Sequence, residues 1–195
     1  APRDPVAHLH LGDLWRLQAQ RARVEDAPAL MARARAAYEQ AAALDPAQIV
    51  FPVIGEVAFT DSFGDPRSGG RSHEGIDIMS NGVKGLPVVA VADGVVGWIG
   101  STCCYFEIDH GGGWTTWYIH LNNDTPGTDD GLGWGIAPGL TTGTPVRAGD
   151  LIGWVGDSGN AESAGPHLHF EIRKDGVAIN PFSYLMNAPR LNAPG

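Results

Sequence analysis

Cysteine, positive charge and long apolar runs are scarce in this chain, and each scarcity excludes a class of function. There are 2 cysteines, and they are neighbours, Cys103 and Cys104. On a strand, adjacent side chains point to opposite faces. A disulfide between them would be strained, so they are read as free thiols, at least one of them buried. No second pair exists to complete a thiolate metal site. Lys and Arg number 13 against 22 Asp and Glu, a net charge of −9. An acidic surface repels phosphate backbones and gains nothing from anionic membranes, so neither nucleic acid nor a lipid surface is an expected partner. No apolar run approaches the roughly 20 residues of a membrane helix. Ala1-Pro2-Arg3-Asp4 is polar and does not read as a signal peptide, which leaves the compartment open. The helical HExxH zinc motif is missing too, so no glutamate is in place to act as its base.

Glycine is almost missing from residues 7–44, where Gly12 stands alone in a stretch rich in Ala, Leu, Arg and Gln. Two helices are expected there, one from about Val6 to Ala22 and one beginning after the cap Asp26, with Pro28 tolerated in its first turn. Leu30, Ala34, Ala37, Tyr38, Ala41 and Leu44 form one apolar stripe at helical spacing. Leu11-Gly12, Trp15, Ala34, Tyr38, Ala41 and Pro46 resemble one tetratricopeptide repeat, though the turn needs about two extra residues. An ordinary helical hairpin fits equally well. A lone hairpin cannot bury its own stripe, so it requires the next domain, further repeats or a protein partner.

From Phe51 onward the chain carries most of its 27 glycines and reads as mainly β. Val88–Ala92, the turn Asp93-Gly94 and Val95–Ile99 predict one hairpin. Tyr105–Asp109, Gly111-Gly112-Gly113 and Trp114–His120 predict a second. Further strands are expected at 151–155 and 167–172, with a long loop over Asn122–Gly143. The expected organisation is a helical hairpin over 1–48, a β domain over 51–187 and a tail over 188–195.

Two distant stretches read as halves of one metal site: His73-Glu74-Gly75-Ile76-Asp77 and His167-Leu168-His169. Catalytic zinc takes three protein ligands and leaves a position open. His73, Asp77 and one histidine of the pair supply three. On a strand His167 and His169 share a face, so the other imidazole stands beside the metal, free to move protons. Asp77 points away from the face carrying Ile76 and Ile78 if 76–78 is a strand. His120 ends an aromatic strand and is a third candidate. His110 reads as a turn residue. The tripeptide His8-Leu9-His10 is read as chance, because residues i and i+2 of a helix do not share a face.

Seven islands in order over roughly 135 residues resemble the lysostaphin-type (LytM-type) zinc metalloendopeptidases that cleave peptidoglycan peptides. They are Phe63-Gly64 with Arg67, the 73–77 stretch, 85–96, Asp109-His110-Gly111, Tyr118-Ile119-His120-Leu121, 146–150 and 165–171. The resemblance implies a small antiparallel β-sandwich or barrel-like domain, zinc ligands His73, Asp77 and His169, and catalytic histidines His120 and His167. It also implies a peptidoglycan peptide as substrate and an extracytoplasmic location. Two departures stand out: the 122–143 stretch is longer than the family's usual connection, and no tyrosine lies between Tyr38 and Tyr105 to serve an oxyanion. The alternatives are a catalytically inactive relative that activates or scaffolds wall hydrolysis, and a sugar phosphocarrier with paired histidines. The complete donor set speaks against the first, and Asp77 in the triad against the second.

Overall fold

The computed structural model describes residues 48–100 and 105–192. The expected helical hairpin, His8-Leu9-His10 and the cysteine pair lie outside the described residues. Among the described residues there are nine strands: β1 (Ile76–Met79), β2 (Pro87–Val89), β3 (Gly94–Ile99), β4 (Tyr105–Asp109), β5 (Trp114–Ile119), β6 (Pro145–Val146), β7 (Leu151–Trp154), β8 (His167–Lys174) and β9 (Val177–Ile179). A short helix, α1 (Phe182–Asn187), follows. The fold is mainly antiparallel β, as the sequence predicts.

Seven strands form one sheet in the order β1-β8-β5-β4-β3-β6, with β9 also pairing β8. β2 and β7 form a second, two-stranded sheet. Strand alternation assigns the faces of the large sheet. Ile76, Ile78, Phe106, Ile108, Tyr118, Leu168, Phe170 and Ile172 are fully buried and meet Val88 and Ile152 of the small sheet in one core. The intervening residues Asp77, His167, His169, Glu171 and Trp117 therefore point to the other face. Register brings three of the strands together at one level: His169 stands opposite Asp77 of β1 and Ile119 of β5.

The hairpin expected across Asp93-Gly94 does not form. β2 pairs with β7, while β3 pairs with β4 and β6. The reason is burial: Val88, Val89, Ala90 and Val91 are all at most 1% exposed. A run with no polar face is covered on both sides and, beyond its pairing with β7, takes backbone partners from Pro52, Asp150 and Val50. The second hairpin, β4–β5, forms as expected.

In the long 122–143 loop, Ile136 is buried in the core and bridges to Gly153 of β7, leaving Trp134 half exposed. His110 lies in the β4–β5 turn, as expected, and is buried there. Its Nδ1 lies 2.7 Å from the Asp93 carbonyl and its Nε2 lies 2.8 Å from Thr116 Oγ1. Thr116 Oγ1 is 3.1 Å from the Tyr118 hydroxyl, which accepts from Val91 N–H at 3.0 Å. With Nδ1–H donating to Asp93, a neutral His110 accepts from Thr116 and every polar group of this buried chain is satisfied.

Candidate metal centre

His73 reaches the site from the loop before β1, Asp77 from β1, and His169 from β8. Their donor atoms form a small triangle. His73 Nε2 is 2.8 Å from His169 Nδ1, and Asp77 Oδ1 is 3.0 Å from each. The outer partners decide which nitrogens carry hydrogen. His73 Nδ1 lies 2.7 Å from the Ser62 carbonyl, which can only accept. His169 Nε2 lies 2.9 Å from the Glu171 carboxylate. In the neutral rings these outer nitrogens hold the protons. The inner nitrogens then present lone pairs to each other and to a carboxylate oxygen, with no hydrogen among them. Such a convergence calls for a cation: without a metal, a proton on an inner nitrogen bonds Asp77, and a metal would take that proton's place. Around a tetrahedral zinc with ligands at about 2.0–2.1 Å, neighbouring donors stand roughly 3.3 Å apart, so a slight opening of this triangle fits the ion.

Outer contacts hold each of the three donors. Arg67 donates to Asp77 Oδ2 at 2.7 Å and leaves Oδ1 to the triangle. Burial alone would raise the Asp77 carboxyl; hydrogen bonds from His169 and His73 outweigh it and hold the group well below the usual carboxylate range. Behind His169, Glu171 accepts from Arg173 Nε at 2.6 Å, and Arg173 also contacts Glu74 and lies 4.3 Å over the Trp117 ring. This is the carboxylate–histidine arrangement that fixes a ligand's ring and raises its basicity.

Two more imidazoles flank the triangle. His120 Nδ1 is 2.9 Å from the Ser158 carbonyl, and His167 Nδ1 is 2.8 Å from the Gly165 carbonyl. Each ring is thereby set with its Nε2 lone pair free. The two rings are 4.9 Å apart, and His167 Nε2 is 3.8 Å from Asp77 Oδ1. Burial, then the neighbouring His167, pushes His120 down to about 4, so its ring is neutral at physiological pH. His120 also has a φ of 64°, a left-handed conformation unusual outside glycine and found where a site constrains the backbone.

All five residues singled out by sequence come together: His73, Asp77 and His169 as one triangle, His120 and His167 beside it. Among the described residues, only one other group of His, Cys, Asp and Glu has metal-ligand spacing: Asp124, Asp129 and Asp157. His110 is remote in role, as its nitrogens are both used in the core. Sequence reasoning missed Glu171, Arg173 and Glu74. Strand alternation from His169 carried the first two, since 167, 169, 171 and 173 share one face.

Comparison with known proteins gives consistent matches. A family model described as Peptidase family M23 matches residues 71–181. The chain is 36% identical over 124 residues to the DD-carboxypeptidase/endopeptidase Mpg of Neisseria meningitidis serogroup B, which covers 62% of this chain and 24% of that protein. It is 35% identical over 144 residues to the L-Ala–D-Glu endopeptidase of Bacillus subtilis, covering 64% of this chain and 37% of the relative. The catalytic domain of the antimicrobial peptidase lysostaphin from Staphylococcus simulans superposes with a TM-score of 0.51 at 26% identity, covering 67% of this chain and 92% of that one. The chain thus spans 24% of the first and 37% of the second of these curated relatives.

Proposed function

The chain belongs to peptidase family M23, and from that premise we propose that it hydrolyses peptide bonds in peptidoglycan stem peptides or cross-bridges. In this reading residues 51–187 are the catalytic unit and His73, Asp77 and His169 hold zinc. Zinc in that position would supply Lewis-acid polarisation of the scissile carbonyl and acidify the attacking water. The protein's own groups do the rest. Arg67 keeps the Asp77 carboxylate ionised and turned inward. His120 and His167, each with a free Nε2, take the proton from the attacking water and return one to the leaving amine. Their carbonyl partners, Ser158 and Gly165, hold the rings in that tautomer through both steps and stabilise them when charged.

The observation that carries the proposal is the triangle of donor atoms from His73, Asp77 and His169 with the His120 and His167 rings beside it. The inactive alternative has no missing donor in its favour. Relatives named for endopeptidase activity support the substrate class, and a wall substrate would imply an extracytoplasmic location. No helix of the described residues is long and apolar enough to cross a membrane. The test is to incubate the zinc-loaded protein with defined muropeptides and weigh the products. Fragment pairs whose masses sum to substrate plus one water support it. Intact muropeptides in the presence of stoichiometric zinc would sink it.

A further inference from the structure

Lys84 is one of two lysines in the chain, where arginine supplies all other basic side chains. Its ammonium stands among three carboxylates: Asp124 at 2.7 Å, Asp129 at 2.8 Å and Asp157 at 2.9 Å. Asp124 and Asp157 are buried, with side chains 3% and 7% exposed. The ammonium hydrogen-bonds Asp124 and Asp129 and stands at ion-pair distance from Asp157, whose Oδ1 is buried and has no other partner. Desolvation works against the charge, but the bonds to Asp124, Asp129 and Asp157 hold Lys84 well above its ordinary range. The base of the side chain is itself anchored, because Gly85 N–H donates to the Val155 carbonyl at 2.7 Å.

Asp157 is the middle residue of a tripeptide that grips both flanking histidines. Gly156 N–H donates to the His120 carbonyl at 3.0 Å, and His167 N–H donates to the Gly156 carbonyl at 2.9 Å. Ser158 supplies the carbonyl that fixes the His120 ring. The grip is tight: a Cβ at Gly156 would meet Asn122 N at 2.6 Å. Asp124 sits four residues after His120, where it also accepts from Gly131 N–H at 2.8 Å. So the two acids buried around Lys84 belong to the two segments that carry and clasp His120.

We propose that Lys84 is a positioning residue for the His120–His167 pair, a tethered cation that locks the 156–158 clasp against the 122–131 segment by filling a cage of three carboxylates. The proposal rests on the reading of His120 and His167 as the proton-transfer pair. Lysine suits the cage better than arginine, because a compact ammonium matches three converging acids and a planar guanidinium fork does not. The cage is reachable from solvent. Lys84, Asp129 and Asp157 line an open groove of about 570 Å³ that continues to Gly165 and Pro166, the residues just before His167.

The test uses the zinc-loaded protein with Lys84→Ala and, separately, Asp157→Asn. The second cuts the tether while leaving Lys84 bonded to Asp124 and Asp129. Both are expected to keep zinc at wild-type stoichiometry, because no metal ligand is held by the clasp. Both lose kcat by roughly ten- to a hundredfold, the order that a misplacement of about 1 Å costs, with KM changed much less. In ¹⁵N spectra the His120 ring loses its single Nδ1–H tautomer in both variants. Millimolar calcium, a hard cation that takes carboxylate oxygens, recovers kcat in Lys84→Ala, and Lys84→Arg does not behave as wild type. Full kcat in either variant overturns the proposal, as does lost kcat with an unchanged His120 tautomer. Lost zinc overturns it too, by moving the effect to the ligands. A Lys84→Ala protein that calcium does not improve overturns the cage as a cation seat. If wild type itself cleaves no muropeptide, the functional reading fails, while the tautomer still judges the lock.

Discussion

A histidine bonded to a carboxylate on both sides holds its proton until a metal displaces it, and His169 is that histidine. Burial opposes the charged ring, but hydrogen bonds to Asp77 and Glu171 raise its pKa above the ordinary value. Zinc must expel the proton on Nδ1, so zinc affinity rises with pH through the histidine range and levels off above the raised pKa. Calorimetry in buffers of different ionisation enthalpy should show net proton release on zinc binding near pH 7 that fades at higher pH. Glu171→Gln keeps the shape of the outer partner and removes its charge. Zinc affinity should then fall by roughly 10–100-fold, the usual cost of losing an outer-shell partner. An unchanged zinc Kd in this variant would reduce Glu171 to a surface contact of Arg173. At this scale much was legible in the sequence. The i, i+2 spacing in a strand put His167 and His169 on one face, and Asp77 opposite Ile76 and Ile78. The Lys84 cage was not legible, because its three acids lie 40, 45 and 73 residues further along the chain.

β1 and β8 meet in register so that Asp77 and His169 stand side by side, and Gly75 makes the approach to β1 possible. A Cβ at residue 75 would lie 2.8 Å from His169 Nε2 and closer still to the Phe170 carbonyl. β8 is paired along both edges, so the Phe170 carbonyl cannot retreat and the His169 side chain must give way. Gly75→Ala should therefore push the His169 ring off Glu171 and lose bound zinc. Elemental analysis after gel filtration checks this, and wild-type zinc content would show that β1 can shift instead. Elements with one polar face, β4, β5 and β8, follow the alternation of their sequence. The Val88–Val91 run has no polar face, and alternation cannot say which neighbour it pairs with. Only the packing of two sheets settles that, which is why the expected β2–β3 hairpin is replaced by a β2–β7 ribbon.

At the scale of the whole molecule, one core histidine, His110, ties stability to pH. Burial pushes the His110 pKa below its ordinary value, and its neutral ring completes the chain from Asp93 to Val91. The unfolded chain, with histidine near 6.5, takes up the proton first. His110 therefore contributes stability that is fully present above about pH 6.5 and is lost as pH falls below it. The difference in unfolding free energy between wild type and His110→Gln should narrow as pH drops through this range. A difference independent of pH would mean that His110 is not held neutral. Thr116→Val, which strands His110 Nε2 and the Tyr118 hydroxyl, should cost about 1–3 kcal/mol in denaturant unfolding. The same fold that buries His110 for stability leaves five other donors facing one point, and their division of labour is the claim on which the rest depends. The direct measurement is zinc per chain in five single-alanine variants. His73→Ala, Asp77→Ala and His169→Ala should hold none at stoichiometric zinc, while His120→Ala and His167→Ala hold one and lose roughly 10²–10⁴-fold in rate. One zinc retained in any of the first three, or lost in either of the last two, would contradict the split between metal ligands and proton-transfer groups.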